Sequence, residues 1–489
     1  MPRSALAKHL LVAVAGAATL ALLVACTDAA DQSSDPTKSG KATATPAPVS
    51  FVPCGQARCT GSINGAKYEI QLPARWNGTL LLYSHGYVEA APIAPDFATP
   101  TLAAESSPDD DIAHEMLAEG YALAGSSFSR LGWAVPEGVK ADEELYAYFA
   151  AKVAKPRQVI VWGNSMGAVI TEGLAEKKLA WVTAAAPMCG PLAGTNETLD
   201  LSLDVAYAVR TLLAPKLQIA GFTSHKAAVH AWESARKALE AAGNEVAAGD
   251  TAGPAKLYLI SALIDAPDQS FFSDGSDSVL RAGVAVEDAL HQMSVDTDVR
   301  YDIERRAGAS VSGNAGVDYA TRISPAERTF VDETGGPGTT DRLLAKLAAG
   351  QRVSADKRAR AAAGRTMGEP TAALSVPTTT LHTAKDPVAI VQHEQLFAQR
   401  AQRAGSQNLL LQLYSVPPAK YDPPPKDGGA GHCNLTAGQV TATVALLSSW
   451  AATHTRPTDQ EVTAAASKVP SLSGTFVPAP WPDPRATGP

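Results

Sequence analysis

The 489-residue sequence lacks the excess of positive charge that is typical of nucleic-acid-binding domains. It has 41 Lys and Arg residues against 49 Asp and Glu residues, which gives a formal net charge of −8. A nucleic-acid partner would favour a basic face, so this composition argues against one. Apolar residues make up 45% and charged residues 18%, which is the composition of a globular protein. The length suits one large domain with an insertion, or two domains.

The sequence also lacks the common cofactor motifs. It contains neither a Walker motif nor the glycine pattern of dinucleotide-binding folds. No cluster of His, Cys and Asp has the spacing of metal ligands, and the glycine-rich stretch 334–338 is typical of a turn. We therefore expect no cofactor and no metal.

The N-terminal region has the pattern of an export signal. Arg3 and Lys8 accompany the apolar, small-residue run 10–24, which is too short for a comfortable membrane span and is typical of a signal peptide. The run ends in Leu-Val-Ala-Cys at Cys26, which resembles a bacterial lipobox. We therefore expect residues 1–25 to be a lipoprotein signal peptide and Cys26 to carry a lipid anchor; an ordinary secretory signal is the alternative. Either pattern predicts a protein outside the cytoplasm, lipid-anchored to the membrane or secreted.

Four further cysteines follow: Cys54, Cys59, Cys189 and Cys433. An even number in an oxidising compartment indicates two disulfides, although four cysteines allow three pairings and free buried thiols are the alternative. Cys54 and Cys59 are close in sequence, and we expect them to close a small loop. That pairing leaves Cys189 with Cys433.

The chain then divides into regions of different periodicity. Residues 26–50 are polar and Pro-containing and predict a flexible tether. Short apolar strands alternate with amphipathic helices over 51–190 and again over 375–455, which predicts βαβ units and a mostly parallel sheet. The pair Asn64-Gly65 between two strand-like runs predicts a hairpin, and so antiparallel strands at one edge.

Residues 191–374 interrupt this alternation with mainly helical periodicity. This helical insertion enters after a strand that ends near Pro187, at the carboxyl edge of the predicted sheet, where ligands bind in such folds. We therefore expect it to form a lid over the site. The Pro-rich tail 456–489 is expected to run along the surface in extended form. The clearest helical stretches of the insertion are 199–213, 225–242, 278–293 and 340–348.

A Gly-Asn-Ser-Met-Gly stretch centred on Ser165 lies directly between the apolar strand 158–162 and a helix rich in small residues. This is the context of a nucleophile elbow, in which a sharp strand-to-helix turn lifts the serine hydroxyl clear of the sheet. A glycine-serine loop that caps a helix is the alternative. The pattern predicts Ser165 as a nucleophile and the backbone N–H of Met166 as one oxyanion donor.

A serine hydroxyl needs a base, and the base needs an orienting acid. After such an elbow the expected order is Ser, acid, His. Asp386 follows the predicted strand 378–383, and His432 lies in a glycine-rich loop after the last strand. Both residues follow the carboxyl end of a strand, the same edge of the sheet at which Ser165 is expected. We therefore predict Asp386 as the acid and His432 as the base. The alternatives, which lack this order or this strand-end position, are His382, His393, His454 and Asp422.

With these motifs the chain resembles the α/β-hydrolase superfamily across 51–187 and 378–453. The resemblance implies an α/β-hydrolase fold, with a mostly parallel central sheet flanked by helices and a large helical lid insertion. His85-Gly86-Tyr87 is similar to the His-Gly-X signature of that superfamily. The similarity implies that the backbone N–H of Tyr87 is the second oxyanion donor and that His85 anchors the loop.

The His432-Cys433 pair is similar to an arrangement in tannases and feruloyl esterases. In those enzymes a cysteine beside the nucleophilic serine bonds the cysteine beside the histidine. Here Asn164 precedes Ser165, so this chain departs from that pattern. Cys189, just after the next strand, is the candidate that supplies the bridge instead.

Three functions are compatible with these residues. The leading one is hydrolysis of a carboxylic ester of a small-molecule or acyl substrate. An amidase or peptidase would use the same triad, with acidic residues of the insertion holding a substrate ammonium; we expect those residues to form a solvated helix face instead. A non-catalytic binding protein on this scaffold would usually lack a triad member. The acidic candidates are Glu287, Asp288, Asp296, Asp298, Asp302 and Glu304.

Overall fold

A computed structural model describes residues 57–91, 100–421 and 428–487. Its strands are β1 (Arg58–Ile63), β2 (Ala66–Gln71), β3 (Thr79–Ser84), β4 (Ala122–Ser126), β5 (Gln158–Asn164), β6 (Ala184–Met188), β7 (Thr378–Thr383), β8 (Leu410–Ser415) and β9 (Leu472–Ser473). Its helices are α1 (Asp110–Ala118), α2 (Val135–Lys152), α3 (Met166–Glu176), α4 (Thr195–Leu212), α5 (His225–Asn244), α6 (Ala252–Ala262), α7 (Ser278–Ser294), α8 (Arg300–Ala307), α9 (Pro325–Gly335), α10 (Thr339–Ala349), α11 (Lys357–Thr366), α12 (Gln392–Ala404), α13 (Ala437–Thr453) and α14 (Asp459–Ala466).

The nine strands form one sheet in the order β1-β2-β4-β3-β5-β6-β7-β8-β9. Every pair from β4 to β8 is parallel, whereas β1, β2 and β9 pair antiparallel at the two edges. Successive side chains of a strand point to opposite faces, so Leu81 and Tyr83 of β3 pack with helices α1 and α13 on one face. The chain has the α/β-hydrolase fold that the sequence predicts.

The predicted hairpin is confirmed. Ile63 pairs with Ala66, which leaves the two-residue turn Asn64-Gly65 between β1 and β2. Both turn residues have positive φ, 50° and 87°, as a tight hairpin turn requires. The hairpin therefore begins the sheet with antiparallel strands.

The chain between β6 and β7 contains the eight helices α4–α11 and the π-helical turn Val295–Val299, without a strand. Helix α4 begins at Thr195, before the expected start at Leu199. Helices α6, α8, α9 and α11 lie outside the stretches named from the sequence. Most residues of α6 are buried, so it shows no amphipathic stripe. Contacts of the insertion with the loops after β3 and β7 place it at the carboxyl edge of the sheet.

The C-terminal tail differs from the extended form expected from its prolines. It contains helix α14, and β9 pairs antiparallel with the end of β8. A capping box begins α14, with Thr458 and Glu461 each accepting from the other's backbone N–H. Val462 is buried against the core beside β9. The local capping signal therefore outweighs the proline content.

Several predictions fall outside the described residues. These are the signal peptide 1–25, the lipidated Cys26, the tether 26–50, and the side chains of Cys54 and Asp422. They stay predictions. In the ranges that the structure covers, no helix combines the length and the apolar character needed to cross a bilayer.

A buried carboxyl group supports the end of β3, immediately before the loop that contains Tyr87. The Oγ of Ser84 donates a hydrogen bond of 2.6 Å to Asp142, which is fully buried on α2. Burial raises the pKa of Asp142 to about 8, although the bond from Ser84 opposes that rise. The folded protein therefore holds a proton on Asp142 more tightly than the unfolded chain does.

This difference predicts a pH-dependent stability. The unfolded pKa of an aspartate is about 3.9, so the stabilising contribution is complete below about pH 4 and declines as the pH rises towards 8. At about 1.4 kcal/mol per pKa unit, the loss of stability between these pH values amounts to several kcal/mol. Asp142→Asn has a side chain that stays neutral, so it should remove much of this loss. Denaturant unfolding across this pH range measures the effect, with exposed Glu333→Gln as the matched control. Parallel stability curves for wild type and Asp142→Asn would contradict the account.

Candidate active site

Ser165 lies at the turn between β5 and α3, with a positive φ of 57°. The turn needs glycine on both sides. A Cβ on Gly167 would come within 1.9 Å of the Ser84 carbonyl oxygen, and one on Gly163 within 2.6 Å of that oxygen. The predicted elbow geometry is therefore present, and it places the Ser165 side chain at the N-terminus of a helix.

The three predicted triad side chains form one hydrogen-bonded chain. The Nε2 of His432 lies 2.9 Å from the Oγ of Ser165. Its Nδ1 lies 2.9 Å and 3.0 Å from the two carboxylate oxygens of Asp386. A proton on Nδ1 donates to the carboxylate, which leaves Nε2 free to accept from the serine hydroxyl.

Asp386 is buried in the loop that follows β7. Its carboxylate accepts hydrogen bonds from the Thr383 hydroxyl at 3.1 Å and from the backbone N–H groups of Val388 and Ala389 at 2.9 Å and 3.0 Å. Burial alone would raise the pKa of Asp386, but the charge and hydrogen bond of His432 hold that pKa below its usual range. The group is therefore an ionised acceptor for the imidazole at neutral pH.

The alternative histidines do not contact Ser165. His382 is buried in β7, where its Nδ1 lies 3.2 Å from the Glu394 carboxylate. His393 is buried in α12, and its Nδ1 accepts from a backbone N–H. His454 caps the C-terminus of α13.

The sequence did not reveal that His382 approaches the acid. Its Nε2 lies 3.9 Å from Asp386 and 2.7 Å from the Ala389 carbonyl oxygen. The available clue in the sequence was that His382 lies four residues before Asp386, near the end of β7, the strand that Asp386 follows. The contact with the Ala389 carbonyl oxygen connects His382 to the loop that contains Asp386.

The loop after β3 lies against the serine. A Cβ on Gly86 would be 3.4 Å from the Cβ of Ser165, so the backbone that leads into Tyr87 is next to the elbow. His85 stacks on Phe128 with 4.1 Å between ring centroids, and its Nδ1 lies 2.7 Å from the Gly86 carbonyl oxygen. These contacts fit an anchoring role for His85.

The predicted Cys189–Cys433 disulfide is present, with 5.3 Å between the two Cα atoms. Cys189 directly follows β6, and Cys433 follows His432 in the chain. The bond therefore ties the His432 loop to the strand beside the elbow. Cys59 is also disulfide-bonded, and its predicted pairing with Cys54 lies outside the described residues.

One group of ligating side chains in the described ranges is close enough to suggest a metal. Asp386, His432 and Cys433 offer atoms within 4.8 Å of one another. The Cys433 sulfur is bonded to Cys189, and a disulfide sulfur is not the thiolate that metals bind. The group does not fit a metal centre.

The six acidic candidates of the insertion are buried, which corrects the expected solvated face. The fully buried Arg300 explains the burial of two of them, because its guanidinium pairs with Asp296 at 2.6 Å and with Glu304 at 3.0 Å. These partners lie four residues before and after it in the chain, a spacing that could have revealed the pairing.

The other four acids differ in their contacts. Asp302 accepts from Arg130 of the core at 2.6 Å. Neither oxygen of Asp288 has a hydrogen-bond partner among the described residues, and burial raises its pKa well above the usual range. Glu287 lies 3.9 Å from His291 on the same helix. Asp298 contacts Tyr87.

No protein-family model and no curated protein matches this sequence. Among solved structures, the rice cell wall degrading esterase LipA from Xanthomonas oryzae is 13% identical, with 71% of this chain and 78% of that chain covered and a TM-score of 0.32. Feruloyl esterase B from Aspergillus oryzae is 12% identical, with 82% and 80% covered and a TM-score of 0.37. The fold assignment rests on this chain's own strand order and elbow.

The disulfide beside His432 predicts a joint effect on stability and activity. Replacing both cysteines in Cys189→Ala/Cys433→Ala should lower the free energy of unfolding by about 2–4 kcal/mol, because the long loop is no longer closed. Activity should fall as well, because the imidazole loop loses its tie. Thermal unfolding and initial rates measure both, with Cys54→Ala/Cys59→Ala as the matched pair. Wild-type stability and activity in the first variant would refute this role.

Proposed function

We propose that this protein is an extracytoplasmic serine hydrolase that cleaves carboxylic esters through an acyl-enzyme intermediate. The observation that carries the proposal is the hydrogen-bonded chain from Ser165 through His432 to Asp386 at the elbow. Nucleophile, base and orienting acid then have the contacts that this chemistry requires.

The reaction proceeds in two halves. The Oγ of Ser165 attacks the ester carbonyl while the Nε2 of His432 takes its proton, and a tetrahedral oxyanion forms. The intermediate collapses, and His432 returns the proton to the departing alcohol. Water then attacks the acyl-serine while His432 takes a proton from it. The second tetrahedral intermediate breaks the bond between the acyl carbon and the Oγ of Ser165, His432 returns the proton to that Oγ, and the carboxylic acid leaves.

Two features lower the barrier. The backbone N–H groups of Tyr87 and Met166 are the proposed oxyanion donors, since one lies beside the elbow and the other begins α3. Asp386 keeps the proton on Nδ1 of His432 and stabilises the imidazolium that forms during attack.

Amide or peptide hydrolysis is the nearest alternative, because the triad serves both. A peptidase that binds a free amino terminus would need unpaired carboxylates facing the substrate. Four of the six candidate acids are instead paired with Arg300, Arg130 or Tyr87, and burial raises the pKa of Asp288; Glu287 has only His291 nearby, at 3.9 Å. This favours a substrate without that ammonium group.

The insertion 191–374 is proposed to act as the lid and to supply the walls of the substrate pocket. The Nε2 of Gln292 donates to the carbonyl oxygens of Pro387 and Val388, directly after the acid, at 2.9 Å and 3.0 Å. Insertion helices α6, α7 and α9, the Asp386 loop and the C-terminal tail together line a cavity of about 440 Å³, whose lining includes Asp386 but neither Ser165 nor His432. The Gln292 contacts therefore carry the lid proposal, and the cavity shows only that the insertion also packs beside the acid loop.

The location is proposed from the sequence and the disulfide. Residues 1–25 act as the signal peptide, Cys26 carries the lipid, and 26–50 hold the enzyme away from the bilayer. The Cys189–Cys433 bond supports an oxidising compartment.

The nucleophile assignment predicts that Ser165→Ala loses nearly all activity, by about 10⁴-fold or more, because the attacking oxygen is gone. Hydrolysis of chromogenic esters and labelling by a fluorophosphonate probe both measure this. Ser62→Ala, at an exposed serine of β1, is the matched control and should retain both. Undiminished turnover in folded Ser165→Ala would end the hydrolase assignment.

The acid assignment predicts that Asp386→Asn lowers kcat by about 10⁴-fold, because an amide favours the wrong imidazole tautomer. The protein should remain folded, since the substitution preserves shape. Asp422→Asn, at the alternative acid, is the comparison and should remain near wild type. The reverse outcome, with Asp422 essential and Asp386 dispensable, would show that the assignment of Asp386 as the acid is wrong.

A further inference from the structure

A hydrogen bond connects the core loop after β3 to the helical insertion. The phenol of Tyr87 donates to Oδ2 of Asp298 at 2.5 Å, across 211 positions of sequence. Asp298 lies in the π-helical turn Val295–Val299 and is buried. The contact therefore joins a proposed oxyanion residue to the lid.

The second oxygen of Asp298 is also occupied. Its Oδ1 lies 2.9 Å from Nε2 of His225, the first residue of α5. Burial, then the charge and hydrogen bond of Asp298, raise the pKa of Tyr87 well above its usual range, so the phenol keeps its proton and donates. The carboxylate is thus held between two donors from separate elements.

A second acid secures the neighbouring loop. Asp302, one helical turn after Asp298, accepts from Arg130 at 2.6 Å and from the backbone N–H of Trp133 at 2.9 Å. The N–H of Gly132 in turn donates to the Val88 carbonyl oxygen at 2.9 Å. The insertion therefore contacts Tyr87 directly through Asp298. It also contacts the loop 130–133, which in turn bonds to Val88.

The Tyr87 backbone has few other constraints. Apart from the single bridge between Val88 and Gly132, residues 85–91 form no regular secondary structure. Gly86, immediately before Tyr87, adds conformational freedom to the chain. The direction of the Tyr87 N–H therefore depends on side-chain anchors: His85 on one side and the phenol on the other.

We propose that Asp298 is a positioning residue for the oxyanion hole: by holding the Tyr87 phenol, it directs the Tyr87 backbone N–H at the developing oxyanion. The inference rests on the proposed function and extends it, because it makes the insertion part of the catalytic geometry. An oxyanion donor that is misdirected stabilises the transition state less, while ground-state binding is largely kept.

Tyr87→Phe is the cleanest test, since it removes the hydroxyl but keeps the backbone N–H and the ring beside Trp133. We expect kcat to fall by about 10- to 100-fold, less than the roughly 10²–10³-fold cost of removing an oxyanion donor outright, with KM nearly unchanged. Asp298→Ala should behave similarly. The double variant should be little worse than either single variant, because both break the same contact.

A tetrahedral inhibitor supplies a readout that a structural defect would not move. Affinity for a trifluoromethyl ketone should fall in parallel with kcat/KM across these variants. The matched control is Tyr319→Phe, which removes a hydrogen bond of 2.5 Å to Asp204 and one of 2.9 Å from Asn314, both buried within the insertion. It should lower thermal stability without lowering kcat.

The outcomes separate this inference from the proposed function. An active wild type whose kcat is unchanged by Tyr87→Phe, or is lowered equally by Tyr319→Phe, would overturn the positioning role alone. Additive losses in the double variant would overturn it as well. A wild type that neither reacts with a fluorophosphonate nor hydrolyses esters would overturn the proposed function, and this inference with it.

Discussion

The hydrogen bond between His432 and Ser165 is the contact on which the rest of the arrangement depends. Its 2.9 Å length requires two loops, 267 residues apart in sequence, to meet at one edge of the sheet. The parallel order β5-β6-β7-β8 brings together the carboxyl ends that carry Ser165, Asp386 and His432. The close approach of the elbow to β3 then excludes any side chain at Gly163 and Gly167.

The groups around this contact restrain the glycine-rich loop that contains His432. The loop before His432 is rich in glycine, and the Cys189–Cys433 bond ties it to the strand beside the elbow. Asp386 holds the imidazole from the other side, and His382 supports the acid. The insertion contacts the same edge of the sheet, through the hydrogen bond from Tyr87 to Asp298.

Local patterns predicted much of this site. The strand–serine–helix pattern predicted an elbow at Ser165, and strand-end positions predicted Asp386 and His432 at the same edge. The structure brings these three side chains to hydrogen-bonding distance. The Asn64-Gly65 turn was equally local. The contact of Tyr87 with Asp298 could not be predicted, since it joins residues 211 positions apart in different elements. Helical periodicity also did not show which face of α7 and α8 would be buried. The prolines of the tail led to the prediction of an extended chain, although the capping box at Thr458 was present in the sequence.

Trapping the covalent intermediate tests the central claim most directly. A chromogenic ester mixed rapidly with the mature protein and quenched in acid, followed by peptide mass spectrometry, shows which residue carries the acyl group. The account predicts one acyl group per active protein, on the peptide that contains Ser165, formed no more slowly than steady-state turnover. Turnover without acylation of Ser165, or an acyl group on another residue, would contradict it.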